Sequence, residues 1–268
     1  IDRVAAPNSA LKHKYKQLLE ELAHHRGGAT YFPYVASGIG NGPFVELADG
    51  SVKLDFIVGI GVHGLGHSHL ANVEATVDAA IEDTVMQGNL QQSAPSVRMM
   101  SELLELAKPH ESELHHVMLT TSGAMANENA LKLAMHARSP ASRVICIENC
   151  FAGRSLALAA LTDRPAYRIG LPLALDVDYL TMFHPSDPEG TTRSAIAGLK
   201  RLIARYPGQH ACIWIELVAG EGGYYPGTRE YFTQLCQICR QNNISIIFDE
   251  VQTFGRLSQP FAFQHFGL

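Results

Sequence analysis

The chain has 268 residues, of which 46% are hydrophobic and 18% charged, a balance typical of a folded globular protein rather than a disordered one. A net charge of −5 without any basic run argues against a nucleic-acid surface, and no apolar run reaches the roughly 20 residues of a membrane-spanning helix. Five cysteines in a chain of this size indicate a reducing compartment, which we predict to be the cytoplasm, rather than a disulfide framework.

The N-terminal residues contain no apolar signal core. The sequence also begins without a methionine, so we expect it to be part of a longer translation product. Its first predicted element is a helix over residues 7–26, where leucines recur at helical spacing. A glycine-rich, strand-like stretch follows, and then a hairpin with Asp49-Gly50 as its turn. Residues 69–108 have a helical pattern that breaks around Gly88.

The remainder of the chain alternates between short apolar strands and longer helical patterns. The predicted strands are residues 115–123, 143–149, 211–217 and 244–250, and the predicted helices are residues 125–138, 192–205 and 229–242. Such alternation predicts an α/β fold with a mostly parallel sheet and helices on both faces. Ligands of these sheets bind at the carboxyl ends of the strands, where residues 120–123, Glu216 and the pair Asp249-Glu250 lie.

A nucleotide or metal site is one interpretation of the two carboxylates. GVHGLGHS at residues 61–68 has the spacing of a phosphate-binding loop, but His67 stands where such a loop needs lysine. His63, His67 and His69 could ligate zinc, although histidines in a glycine-rich loop more often form structural hydrogen bonds, and their role stays open. A lone CxxC has no second pair to complete four ligands, so we predict no metal.

A phosphate-bearing organic cofactor is the other interpretation. Ser122, Gly123 and Ala124 stand between a predicted strand and a predicted helix, where open backbone N–H groups and the helix dipole favour an anion. An ordinary serine N-cap would account equally well for this stretch alone. A phosphate site combined with Asp249 on a later strand suits pyridoxal phosphate, because an adjacent carboxylate keeps the pyridine nitrogen protonated.

Five segments, in this order along residues 38–268, resemble motifs of the class III pyridoxal-phosphate-dependent aminotransferases, which include the ω-amino transaminases. They are GVHGLGHSHL at residues 61–70, TTSGAMANENALKLA at 120–134, CFAGRS at 150–155, ELVAGEGG at 216–223 and DEVQTFGR at 249–256. The resemblance implies a fold-type I transferase that is incomplete at its C-terminus. Residues 1–68 would be the N-terminal segment of the small domain, and residues 69–268 would form the large cofactor-binding domain.

The resemblance also implies roles for individual residues. Ser122, Gly123 and Ala124 would bind the cofactor phosphate. Around the cofactor ring, Phe151 and Val251 would pack on the two faces, Asp249 would pair with the ring nitrogen as the catalytic carboxylate, and Gln252 would bind the ring hydroxyl. Glu216 would lie behind these contacts, and Glu221 would be an acidic gate on the substrate side. Glu250 is expected to be a turn or ion-pair residue instead. Three departures from the family pattern are Met125, Ala152 and the absence of Pro-Ile-Gln from ELVAGEGG.

In that family a lysine beyond the Asp249 strand forms a Schiff base with the cofactor. The seven lysines of this chain, at positions 12, 14, 16, 53, 108, 132 and 200, match none of that context, so we expect these 268 residues to be inactive by themselves. The resemblance implies a homodimer that moves an amino group from an ω-amine or amino acid to a 2-oxo acid. A class III aminomutase, racemase or phospho-lyase is the alternative, as is a truncated, non-catalytic binding protein.

Overall fold

A computed structural model describes residues 1–82, 92–108 and 114–268. The chain forms two compact units, Ile1–Ser93 and Ala94–Leu268. The predicted boundary at residues 68 and 69 falls inside the first unit, and the assignment of the two units to a small and a large domain stays a prediction. Within the described residues, no helix combines the length and apolar character needed to cross a membrane.

The first unit combines a small antiparallel sheet with helices. Its elements are α1 (Lys12–Arg26), β1 (Ala36–Asn41), β2 (Phe44–Leu47), β3 (Val52–Leu54), α2 (Val58–Gly61) and α3 (Leu70–Ile81), with a 3-10 turn at Ser9–Leu11. The sheet order is β1-β2-β3. The predicted hairpin is confirmed: Gly50 has a φ of +77°, and Asp49 Oδ1 accepts the Ser51 backbone N–H at 2.9 Å. The predicted helix break at Gly88 lies outside the described residues.

The second unit is an α/β layer structure. Its elements are α4 (Ala94–Ala107), α5 (Gly123–Arg138), β4 (Arg143–Ile147), α6 (Leu156–Leu161), β5 (Val177–Leu180), α7 (Pro188–Arg205), β6 (His210–Glu216), β7 (Val218–Ala219), β8 (Tyr225–Pro226), α8 (Arg229–Gln241), β9 (Ser245–Asp249) and α9 (Ala262–His265). Strands β5-β4-β6-β9 form a parallel sheet in that order, and β7 pairs with β8 as a separate antiparallel ribbon.

Both faces of the parallel sheet are covered, because successive side chains of a strand point to opposite faces. On one face Ile213 and Ile215 of β6 share a cluster with Leu199 of α7 and Leu235 of α8. On the other face Trp214 shares a cluster with apolar residues of α5 and α6. The core of β6 is fully buried, which explains its continuous apolar sequence and confirms the predicted mostly parallel sheet with helices on both faces.

Two strand predictions need correction. Residues 114–120 form neither helix nor strand, and the end of the predicted strand at 115–123 instead supplies the cap and first residue of α5. An apolar run becomes a strand only where a neighbouring strand pairs with its backbone, and no described strand does so here. Conversely, β5 was not predicted, because its four residues include Asp178 and lie at the sheet edge.

Candidate active site

The carboxyl ends of β6 and β9 bring two acids together. The strands are parallel neighbours, and their register pairs Glu216 with Asp249. The start of α5 lies against the turn after β9, since a Cβ added at Gly123 would be only 2.5 Å from Val251 Cγ2. The segments around Gly123, Glu216 and Asp249, which are far apart in sequence, thus meet at one edge of the sheet, as predicted for the carboxyl ends of parallel strands.

The N-terminus of α5 has the geometry of an anion site. Ser122 is the N-cap, and its Oγ accepts the Met125 backbone N–H at 3.2 Å. The N–H groups of Gly123 and Ala124 lie in the first turn, where a helix provides no internal acceptor. The serine cap and the phosphate site, two alternatives for this sequence, are therefore compatible. Ser122 accepts the Met125 N–H, and the N–H groups of Gly123 and Ala124 stay available to an anion that the helix dipole also favours.

Asp249 is a buried carboxylate with both oxygens engaged. It is 8% exposed; Oδ1 accepts the Val251 backbone N–H at 2.9 Å, and Oδ2 accepts from Asn127 Nδ2 at 2.7 Å. Burial raises the pKa of Asp249, while these two hydrogen bonds act in the opposite direction. The described parts of the chain offer it no salt bridge. A buried anion without a cationic partner could pair with the protonated pyridine nitrogen of the cofactor that the sequence predicts.

Asn127 was missed by the sequence analysis. It lies on the core face of α5 with Leu131 and Ala134, at positions four and seven residues further along the helix, and only 6% of it is exposed. A polar residue on the apolar face of a helix is the signal that could have identified it, because a buried amide needs hydrogen-bond partners. Those partners are Asp249, the Ala152 carbonyl and the Trp214 indole.

Glu216 supports two loops that border the site. Its Oε2 accepts the Phe151 backbone N–H at 3.1 Å, and its Oε1 accepts the Gly220 backbone N–H at 3.2 Å. Burial raises the pKa of Glu216 to about 7, and the charges of Asp249 and Glu221 act in the same direction. Glu216 therefore holds the loop that carries Phe151 and the loop that carries Gly220 in one arrangement.

The other predicted contact residues have distinct surroundings. The Phe151 ring meets the Tyr167 ring edge to face, with centroids 5.8 Å apart. Gln252 packs against Gly220, where an added Cβ would lie 2.7 Å from Gln252 Cδ. Val251 is 56% exposed, so its side chain has surface left on which a ring could pack. Glu221 is exposed, and its carbonyl accepts a hydrogen bond from the Arg164 guanidinium.

Glu250 has a structural position, which confirms the expectation of a turn residue. Its carboxylate accepts the backbone N–H groups of Ala262 at 2.9 Å and Phe263 at 3.0 Å, and it also bonds the Thr253 hydroxyl. These contacts join the turn after β9 to the start of α9. The two adjacent acids of the sequence therefore differ: Asp249 bonds to the Asn127 amide on α5, and Glu250 bonds to the start of α9.

The histidine loop belongs to the first unit. His67 Nε2 lies 2.8 Å from Asp55 Oδ2, its backbone pairs with Gly42 in both directions, and its ring centroid is 4.4 Å from that of His63. For His67 this is the structural hydrogen bonding that the sequence favoured. Across residues 1–82, 92–108 and 114–268, no three side chains of the metal-ligating types are grouped so that they could hold a metal ion. These contacts give His67 a structural role within the first unit.

The raised pKa of Glu216 leads to a testable pH dependence. The folded state binds the Glu216 proton more tightly than the unfolded state, so the unfolding free energy of the cofactor-free protein should fall as pH rises from about 4.5 to about 7. The full change attributable to this carboxyl is about 3 kcal/mol. Glu216→Gln should reduce the slope of the profile over this window, measured by denaturant titration at closely spaced pH values.

The exposed Glu230→Gln on α8 is the matched control and should keep the wild-type profile. Because glutamine presents an N–H to one of the two backbone N–H groups, the variant loses a hydrogen bond at every pH. The slope, not the absolute stability, is therefore the diagnostic quantity. An unchanged slope in Glu216→Gln would show that Glu216 titrates normally in the folded protein.

Comparison with known proteins identifies the family. The sequence model of the aminotransferase class-III family matches residues 28–268, and the chain belongs to this family. This confirms the resemblance inferred from the five motifs, and with it pyridoxal phosphate as the family's cofactor.

Curated relatives are transaminases of about one-third identity. The chain is similar to the acetylornithine aminotransferase of Methanocaldococcus jannaschii, at 34% identity over 85% of this chain and 54% of that protein. It is also similar to the [LysW]-aminoadipate semialdehyde transaminase of Deinococcus radiodurans, at 34% identity over 85% of this chain and 50% of that protein. The chain thus spans about half the length of these curated relatives.

Solved structures agree on the fold. An (S)-enantioselective ω-transaminase from Thermomicrobium roseum superposes with a TM-score of 0.83 at 24% identity, covering 98% of this chain and 62% of that one. The taurine:2-oxoglutarate aminotransferase of Bifidobacterium kashiwanohense, solved with pyridoxal phosphate and glutamate, gives 0.83 at 21% identity over 94% of this chain and 59% of that one. The predicted fold-type I architecture is confirmed.

Proposed function

We propose that the protein transfers an amino group from an ω-amine or amino acid to a 2-oxo acid, using pyridoxal phosphate. The observation that carries the proposal is Asp249, a buried carboxylate without a salt bridge in the described chain, beside the open N-terminus of α5. Together these features match the two charged ends of the cofactor: a phosphate and a ring nitrogen. The chain's membership of the class III aminotransferases supports the same assignment.

The cofactor, when bound, supplies a cationic ring that accepts electrons from the substrate carbon. In our proposal the N–H groups of Gly123 and Ala124, with the Ser122 cap, bind its phosphate. Asp249 holds a proton at the ring nitrogen, because its buried negative charge favours the protonated nitrogen. Gln252 binds the ring hydroxyl.

Two apolar side chains complete the proposed ring site. Phe151 and Val251 pack on opposite faces of the ring and exclude water from it. Glu216 positions the Phe151 loop through its hydrogen bond to the Phe151 N–H. Glu221, which is exposed, gates the substrate side.

The amino donor and the assembly follow from the relatives alone. Acetylornithine aminotransferases and a [LysW]-aminoadipate semialdehyde transaminase are among the matches, which favours an amino acid derivative as donor. These names also favour amino transfer over aminomutase, racemase or phospho-lyase chemistry and over a non-catalytic binding protein. A cytoplasmic homodimer, with 2-oxoglutarate as acceptor, is proposed on the same basis.

The 268 residues alone are proposed to bind the cofactor without turnover. Their second unit contains three lysines, Lys108, Lys132 and Lys200, all with exposed side chains. None stands in the context of the family's covalent lysine. Cofactor binding, which α5 and β9 provide, is therefore distinct from Schiff-base formation, which needs the family's lysine.

The test uses the 268-residue chain and the complete gene product side by side. Both should bind pyridoxal phosphate by equilibrium dialysis and calorimetry, and only the complete product should form glutamate from 2-oxoglutarate and a panel of amino donors. Failure of both to bind the cofactor would overturn the proposed function. Turnover by the 268 residues would overturn the separation of binding from chemistry.

A further inference from the structure

The Asn127 side-chain amide joins three buried groups across the sheet. Its Oδ1 accepts the Trp214 indole N–H at 3.1 Å. Its Nδ2 donates to the Ala152 carbonyl at 3.0 Å and to Asp249 Oδ2 at 2.7 Å. Trp214 is 0% exposed and Asn127 is 6% exposed, so water has little access to replace these bonds.

Two of these partners fix which way the amide points. An indole N–H can only donate, and a backbone carbonyl can only accept. Turning the amide over would place its NH2 against the Trp214 N–H and its oxygen against the Ala152 carbonyl, leaving buried groups unpaired on both sides. The Trp214 and Ala152 contacts therefore set the amide orientation, and in that orientation Asn127 presents an N–H to Asp249.

This arrangement favours the ionised form of Asp249. Oδ2 meets the Asn127 N–H and Oδ1 meets the Val251 N–H, so each oxygen already receives a donor. A carboxylate accepts both bonds, whereas a protonated carboxyl group would direct its own O–H toward one of these donors. Burial acts against the charge and raises the pKa of Asp249, and the two donors offset part of that effect.

We propose that Trp214 and Asn127 are positioning residues for the cofactor: Trp214 fixes the direction of the Asn127 amide, and Asn127 holds Asp249 as an ionised acceptor for the ring nitrogen. This inference rests on the proposed pairing of Asp249 with that nitrogen. Through Trp214, the face of β6 that packs against α5 would contribute to the site. Trp214 bonds to Asn127 and does not contact the ring itself.

The test compares two ligands that differ only at the ring position in question: pyridoxal phosphate and its analogue with carbon in place of the ring nitrogen. Dissociation constants for the cofactor-free protein are measured by calorimetry, and their ratio isolates the Asp249 interaction from phosphate binding and folding. Asn127→Leu should lower the preference for pyridoxal phosphate about tenfold, the effect of losing one hydrogen bond to a charged group. Trp214→Phe should lower it in the same direction and by less.

Two control variants remove similar bonds elsewhere. Asn129→Leu deletes an amide on the same helix that donates to the Met125 carbonyl at 2.9 Å. Tyr231→Phe deletes a buried aromatic donor that bonds the Thr181 carbonyl at 2.8 Å. Both should keep the wild-type preference, even where they reduce stability.

The outcomes separate this inference from the proposed function. A wild-type protein that binds the two ligands equally would contradict the Asp249 pairing itself. A wild-type preference that survives unchanged in Asn127→Leu and Trp214→Phe would overturn the positioning roles while leaving the function intact. If Asn127→Leu fails to fold, the more conservative Trp214→Phe decides, because it keeps an aromatic side chain in the core.

Discussion

Replacing Asp249 by asparagine should weaken pyridoxal phosphate binding about a hundredfold, as expected when a buried, hydrogen-bonded charge pair loses one partner. The side chain keeps its shape, but it no longer stabilises a protonated ring nitrogen. Amino transfer by the complete protein should fall at least as far. Cofactor affinity is measured by calorimetry at pH 7 and transfer by glutamate formation.

The stability of the cofactor-free protein provides the internal control for this variant. Because folding raises the pKa of Asp249, the wild-type protein loses stability as pH rises through the window above the unfolded pKa, and Asp249→Asn removes that loss. Against this gain, asparagine turns an N–H toward one of the two donors. The unfolding free energy at pH 7 should therefore change little. Wild-type cofactor affinity in Asp249→Asn would refute the role assigned to this carboxylate.

Glu250→Ala should have the opposite signature, a loss of about 3 kcal/mol of unfolding free energy with cofactor affinity preserved. The substitution leaves the backbone N–H groups of Ala262 and Phe263 without their acceptor, and Ala262 is fully buried. Denaturant unfolding measures the first effect. Calorimetry at a temperature where the variant is folded measures the second.

Glu250→Gln is the graded control, because one amide oxygen can still accept while the NH2 cannot. It should lie between the wild-type protein and Glu250→Ala in stability. A large loss of cofactor affinity in folded Glu250→Ala would mean that the turn after β9, and not Asp249 alone, determines binding. Equal stability of all three proteins would show that the contacts to α9 contribute nothing.

The sequence was most informative where function depends on neighbours along the chain. Buried strands such as β6 have continuous apolar sequences, so β4, β6 and β9 were predictable, and the polar residues that follow them marked the site edge. The edge strand β5 is short and contains Asp178, so no apolar run marked it. The run at 115–123 had the composition of a strand, but pairing depends on neighbouring backbone that composition does not specify.

The sequence also predicted those site residues whose roles follow from adjacent residues. Gly123 and Asp249 each belong to a motif of consecutive residues that can be recognised from one segment of the chain. The partnership of Asn127 with Asp249 spans 122 residues of sequence, and that with Trp214 spans 87. Such contacts form only when α5 packs across the sheet, so no spacing rule along one segment predicts them.

The position of Trp214 has a practical consequence. It is the only tryptophan in the 268 residues, and its indole N–H bonds the amide that bonds Asp249. Selective excitation of this chain therefore excites a single fluorophore two hydrogen bonds from the carboxylate at the centre of the site. Its emission gives an optical record of that carboxylate's surroundings, with no label and no substitution required.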